Sequence, residues 1–316
     1  MTLQEAVEQY TDCKRAMGAS FDTDARILLH FRRCAGPEAD CGDITPEQAQ
    51  AFLSNGGRCG PNSRARKHST LSGFYRYAIA RGWARNSPLP PIAPTCVPPV
   101  PPYVYSREEV RSLLEATQSY SPRALQLEPD TFRVLLTLLY GTGLRRGEAL
   151  RLQRRDLDLE QGLIHVRDAK GGKERLVALC ADLTRTLADY DLRKRPHGAS
   201  AEEGQAFFVN RDGTPLAATT VGAHFRKLRE AAGIRRTDGS PRQPCLHDLR
   251  HSFATHRLTD WYREGRDLRR LLPALSTHLG HASLRCSQVY LSMTPELLEQ
   301  ASLRFEHYAR GEGGLS

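Results

Sequence analysis

Apolar residues recur every three or four positions along most of this chain, the period of a buried helix face. Near the start, Leu3, Val7, Tyr10, Cys13 and Met17 keep that spacing, and Thr2 with Glu5 forms a capping-box pattern around the first turn. A second helix is expected after Ser20, burying Ile27, Leu28 and Phe31. Thr45-Pro46-Glu47-Gln48 is another start signal: a cap residue, a proline at the first helical position and a glutamine three after the cap. From about Asn62 to Ala80 the pattern predicts a basic helix that turns Leu71, Phe74, Tyr75 and Ile79 inward and Arg64, Lys67 and His68 outward, ending near Gly82.

Further along, Ser106 to Glu109 repeats the capping box ahead of Val110, Leu113 and Leu114. A buried helix is expected from about Asp130 to Tyr140, broken by Gly141-Thr142-Gly143, with a short helix resuming at Leu144. Strand character is confined to 157–179, where Leu163 to Val166 and Arg175 to Leu179 flank a glycine turn, Lys170-Gly171-Gly172-Lys173. The remainder reads as helical down to an amphipathic tail at 295–308. The fold class is therefore mainly α with a small antiparallel sheet.

Composition adds the domain plan. The chain has 316 residues, which at roughly 100–200 per domain suggests two. Eight of the fifteen positions 88–102 are proline, so this stretch is neither helix nor central strand but a semi-rigid spacer. We expect a helical domain at 1–87, a proline-rich linker at 88–104 and a second domain at 105–316. The most apolar stretch, Val134 to Tyr140, is far shorter than the ~20 residues that span a bilayer. The N-terminus carries early acids and no apolar run, so no signal peptide is expected. The eight cysteines are scattered without a C-x-x-C, which reads as reduced thiols in a cytosolic protein.

Charge changes the picture through its distribution. The net charge is +9, yet residues 1–47 hold five bases and nine acids. Between Glu47 and Glu108 there is no acid, while Arg58, Arg64, Arg66, Lys67, Arg76, Arg81, Arg85 and Arg107 fall in that interval. Such a stretch suits a polyanion. Arg58, Arg64, Arg66, Lys67 and Arg76, with Lys173 and Arg175 of the hairpin, are the candidate nucleic-acid contacts. The acidic first segment is expected to face away from the nucleic acid or towards another protomer.

Candidate chemistry is concentrated in the second domain. No G-x-S-x-G or Walker A sequence occurs. His247-Asp248-Leu249-Arg250-His251 resembles a zinc-protease helix, with His247 and His251 one turn apart, but Asp replaces the Glu base and no third ligand stands out. Read differently, His247 and Arg250 project together at i and i+3, a donor beside a fork suited to phosphate. Three further pieces join them: Arg145 after a glycine turn, Lys170 in the hairpin, and Leu279-Gly280-His281 followed by Tyr290.

On these residues the chain resembles the tyrosine recombinases, the phage-integrase family of site-specific DNA recombinases. TGLRRGEALRLQRRDLDL, AKGGKERLVAL, LHDLRHSFATH and LGHASLRCSQVYL carry the likeness, and LSGFYRYAIARGWARNSP is similar to the end of the family's DNA-gripping domain, with Ser87 interrupting the usual Asn-Pro. The resemblance implies a C-shaped DNA clamp: a helical core-binding domain and a mixed α/β catalytic domain. It implies Tyr290 as nucleophile, Arg145 and Arg250 on the scissile phosphate, His247 and His281 in phosphate binding and proton transfer, and Lys170 as donor to the leaving 5′ oxygen. Glu148 matches an acidic position assigned a structural or Arg-orienting role. The same resemblance implies double-stranded DNA with a specific recombination site as partner, a dimer on each site and a tetramer in synapsis, no cofactor, and a cytoplasmic, nucleoid-associated location. The region around the tyrosine is similar to integrases of mobile elements, and the tail helix is expected to pass between protomers.

Elementary chemistry agrees with that assignment. A phosphodiester repels a nucleophile, and attack concentrates charge on its non-bridging oxygens. Fixed guanidinium groups can stabilise that charge without a metal. A 3′-phosphotyrosyl intermediate preserves the bond energy, so cleavage and rejoining need no ATP, whether for integration, excision or resolution. The alternatives are a non-catalytic DNA-binding or accessory protein on the same fold and, more remotely, a zinc hydrolase using His247 and His251.

Overall fold

The computed structural model describes residues 1–19, 21–36, 38–54, 57, 59–91, 100–119, 127–169, 173–194, 204–281, 290 and 302, with the backbone alone of 168, 169 and 173. The chain divides into two compact units, Met1–Pro99 and Val100–Ser316. Residues 92–99 of the proline run, the hairpin tip at 170–172 and, but for residue 302, the expected tail helix at 295–308 lie outside the described residues.

The first unit contains α1 (Leu3–Ala16), α2 (Asp22–Ala35), α3 (Pro46–Ser54) and α4 (Pro61–Ala80). Its helix starts are written in side chains. Thr2 Oγ1 accepts the Glu5 amide at 3.3 Å while Glu5 Oε2 accepts the Thr2 amide at 3.2 Å. Thr45 and Gln48 repeat the reciprocal pair at 3.3 and 2.9 Å ahead of α3. Pro46 and Pro61 open α3 and α4, where a missing N–H costs nothing. The four helices close on edge-to-face aromatic pairs, Tyr10 with Phe74 and Phe31 with Phe52, at centroid distances of 5.7 and 5.0 Å.

Three positions differ from the sequence expectation. Met17 is exposed because α1 stops at Ala16 and Met17 becomes its cap. Ile79 is exposed because Ala78, at i+4 from Phe74 and i+3 from Tyr75, takes the inward stripe. His68 is buried rather than outward, with Nε2 3.0 Å from the Pro90 carbonyl.

The second unit contains α5 (Arg107–Ser119), α6 (Pro129–Thr142), α7 (Arg146–Arg151), β1 (Leu157–Asp158), β2 (Leu163–Ala169), β3 (Lys173–Ala178), α8 (Ala181–Lys194), α9 (Ala218–Ala231), α10 (Asp248–Arg263) and α11 (Leu268–Leu279). Helix α6 is the hub. Phe132, Leu135, Leu136, Leu138 and Leu139 are all buried, and α5, α8 and α10 pack around it. The sheet is antiparallel in the order β1-β2-β3, with Ile164 opposite Val177 and Val166 opposite Arg175. Ile164, Val166 and Val177 face the core, whereas Leu176 faces solvent. Strand β1, two residues long, is too short to show alternation in the sequence. Helix α7 begins at Arg146, not Leu144, because Leu144 is drawn into the core and Arg145 stays extended at φ −67° and ψ 143° as the N-cap. The fold is thus mainly helical with one small antiparallel sheet.

Candidate active site

Two glycine-capped helix ends meet in the second unit. Helix α6 stops at Gly143 and α11 at Gly280, both at φ 65°, the left-handed cap that only glycine adopts without strain. The approach at Gly143 is also tight: a Cβ there would lie 2.5 Å from Phe253 Cδ1 and 2.8 Å from Leu279 Cδ2.

The last carbonyls of a helix have no partner within it and carry its negative end. At α11 three consecutive carbonyls each receive a different arginine. Arg175 Nε donates to His278 O at 2.7 Å, Arg250 Nη2 to Leu279 O at 2.6 Å, and Arg145 Nη2 to Gly280 O at 2.9 Å. Arg250 Nη1 also donates to Gly143 O at 2.7 Å, tying the end of α6 to the end of α11. These bonds orient the guanidinium groups and use two of the five N–H donors that Arg145 and Arg250 each possess on side chain to backbone carbonyls or to Glu148.

Glu148, 4% exposed, is the counter-charge. It accepts the Arg145 amide at 2.9 Å and Arg145 Nη1 at 2.7 Å, and Arg175 Nη1 and Nη2 at 3.2 and 2.8 Å. Burial alone would raise its carboxyl, but the hydrogen bonds from Arg175 and Arg145 override it and hold the group down at about 2. Arg250 is 3% exposed; burial, reinforced by Arg145, lowers its guanidinium to about 10, leaving it charged at neutral pH.

Histidines surround the tyrosine. Tyr290 is 2% exposed, its ring stacked on His281 at 5.9 Å and 21° and tilted against His251 at 5.6 Å. His251 in turn meets His247 edge-on at 5.0 Å. Burial pushes His281 down to about 4, helped by Arg250 and Arg145, and pushes His251 down to about 4, helped by His247. His247 is lowered too, by burial and then Arg250. At neutral pH these rings are neutral and each offers one donor and one acceptor nitrogen. A cavity of about 520 Å³ opens beside Arg145 and His247, lined also by Arg146, Arg226 and Phe225, with no carboxylate among the described residues that line it. The geometry can bind a phosphate diester between fixed cations next to the Tyr290 phenol.

The structure therefore brings together Arg145, His247, Arg250, His281 and Tyr290. Lys170 and Arg58 lie outside the described residues, as does the side chain of Lys173. In the first unit, Arg64 is half-buried and Arg76 exposed. Arg66 is braced by Asp24 through bonds of 3.0 and 2.7 Å, with its side chain still 56% exposed. Lys67 donates to Phe52 O at 2.7 Å. Arg175 is a correction: its side chain is 8% exposed and turned onto Glu148 and α11, so it is no surface contact for DNA. Residues that sequence reasoning passed over are His278, whose Nε2 donates to Thr142 O at 2.8 Å, and Phe253, stacked on that ring at 5.5 Å. The zinc reading also fails on geometry. Asp248, which would be its base, is buried and accepts the Cys245 amide at 2.7 Å as a turn cap, and no metal-ligating group of three exists among the described residues.

Known proteins are similar to this chain in sequence and fold. Residues 104–296 match the model of the phage integrase family. The chain is 34% identical over 308 residues to a Sinorhizobium fredii (strain NBRC 101917 / NGR234) protein named "Putative integrase/recombinase y4rB", spanning 96% of this chain and 97% of that one. It is 33% identical over 298 residues to the tyrosine recombinase XerD of Xanthomonas campestris pv. campestris, spanning 92% and 86%. Its fold is similar to that of a lambda integrase dimer bound to a COC′ core site, with a TM-score of 0.61 at 23% identity over 90% of this chain and 97% of that one. The family match and these relatives define a protein of the tyrosine-recombinase class. The chain belongs to the phage integrase family.

Proposed function

We propose that this protein cleaves and rejoins DNA strands at a specific site through a 3′-phosphotyrosyl intermediate. The observation that supports this most strongly is the convergence of Arg145 and Arg250 on the end of α11, where His281 and the buried Tyr290 ring also lie. Tyr290 Oη attacks the scissile phosphorus, and the phenol proton passes to a neutral imidazole of the His247/His281 pair. The P–O5′ bond breaks, and the 5′ oxygen takes a proton from Lys170. Arg145 and Arg250 hold the non-bridging oxygens, whose charge grows during attack; one such donor is worth roughly 10²–10³ in rate. Attack by a 5′-hydroxyl of a partner strand reverses every step, with tyrosine as the leaving group.

Arg64, Arg66, Lys67 and Arg76 grip the DNA backbone from the first unit. Phosphate contacts of this kind position the protein and leave sequence readout to base edges. Like the lambda integrase dimer on its core site, this chain acts as a dimer on each site, and two dimers pair for exchange. Among the described residues no helix is long and apolar enough to cross a membrane, and we place the protein in the cytoplasm with the nucleoid.

A nicked duplex built on the sequence enriched when the protein is crosslinked to its own genome tests the reading. The wild-type protein is expected to form a covalent adduct in EDTA; Tyr290→Phe is expected to bind the duplex and form none. An adduct of equal yield in Tyr290→Phe refutes the assignment.

A further inference from the structure

Arg175 is the one member of the arginine triplet at α11 to which neither the sequence resemblance nor the reaction assigns a part. It lies on β3, opposite Val166 and two residues before the buried Val177, so the alternation of the strand turns it inward. There it makes three bonds at once, to His278 O and to both oxygens of Glu148. Its guanidinium sits against Gly280: a Cβ at that position would come within 2.8 Å of Arg175 Nη1 and 3.0 Å of Cζ. The same carboxylate holds Arg145, and the same corner of backbone leads into His281.

We infer that Arg175 is a positioning residue for phosphate stabilisation, dividing the charge of Glu148 so that Arg145 keeps its own for the DNA and fixing the backbone corner from which His281 projects. The inference rests on the reaction proposed above. With two guanidinium groups on one buried carboxylate, the cluster of Arg145, Arg175 and Glu148 keeps a net positive charge. Without Arg175, a buried carboxylate faces Arg145 alone, and a close pair of that kind neutralises itself. His278 O and the Gly280 corner lose their brace at the same time. Lysine, a single point donor, cannot span three acceptors in two elements.

The test compares single-turnover cleavage of the nicked duplex by wild type, Arg175→Lys and Arg175→Ala. Each is measured with the normal scissile phosphate and with a methylphosphonate in its place, alongside duplex affinity and thermal melting. A methylphosphonate is neutral, so its transition state carries one negative charge less than that of the phosphodiester and leans less on Arg145. If Arg175 acts through that charge, Arg175→Ala loses about 100-fold against wild type on the phosphodiester but no more than about threefold on the methylphosphonate. Arg175→Lys falls between wild type and Arg175→Ala, and both variants bind the duplex as wild type does. Equal losses on the two substrates show a merely structural residue and overturn the inference, as does an Arg175→Ala variant within about threefold of wild type on the phosphodiester. If Arg175→Ala does not fold, the ratio of the two losses in Arg175→Lys decides in the same way. Failure of the wild-type protein to form the adduct is a separate result, which removes the proposed reaction instead.

Discussion

Gly143 stands at φ 65° where α6 ends, with Phe253 and Leu279 closing over the place a side chain would take, and its carbonyl holds Arg250. Gly143→Ala is expected to cost about 1–3 kcal/mol of stability from backbone strain, with further loss from overpacking. Cleavage should fall by more than the unfolded fraction explains, because the carbonyl that orients Arg250 moves; thermal melting and single-turnover cleavage on the same preparation check both parts. This position was legible in the sequence as a break in a helix, though not as the anchor of an arginine. Arg175 was misread in the opposite direction. Its positive charge suggested DNA, whereas the strand period that turns Val177 inward turns Arg175 inward with it. The burial of His68 and the exposure of Ile79 have the same origin, since charge and hydropathy name candidates for a face and packing decides which residue occupies it.

At the scale of elements, α10 and α11 hold a cluster of neutral histidines against the tyrosine. His251 and His281 titrate at about 4 in the folded protein because burial disfavours their charged forms, against an ordinary value of 6.5. The unfolded chain therefore binds more protons than the folded one between these values, and stability falls as pH drops from about 6.5 towards about 4. Replacing both rings in His251→Asn/His281→Asn is expected to flatten the melting temperature across pH 6.5–4.5 relative to wild type; an unchanged slope contradicts the burial of neutral rings. The elements themselves were largely visible in the sequence. Capping boxes at Thr2, Thr45 and Ser106 marked helix starts within a residue, because reciprocal side-chain bonds define a start locally. The start of α7 was not visible, since the fate of Leu144 depends on a core that only the folded chain contains.

On the scale of the whole chain, the candidate residues fall in two compact units. The first carries the acid-free basic segment as far as Arg85, and the second carries Arg145, Arg250, His247, His281 and Tyr290. If Arg64 and Arg76 each contact one phosphate, Arg64→Gln and Arg76→Gln each weaken binding evenly across sequences and reduce the slope of log affinity against log salt by about 1. A slope unchanged in both variants removes these two residues from the interface. The charge pattern pointed to a polyanion from composition alone, whereas the coupling of three arginines to one helix end could not be read there, because two of its three bonds join residues more than a hundred positions apart. The central claim is that the Tyr290 phenol becomes joined to a 3′ phosphate. Protease digestion of the covalent adduct, followed by mass spectrometry of the nucleotide-bearing peptide, tests it most directly. The account predicts a single modified peptide carrying the nucleotide on Tyr290, with a free 5′-hydroxyl on the released strand that a polynucleotide kinase can label. A nucleotide on any other residue, or a 5′-phosphate on the released strand, contradicts it.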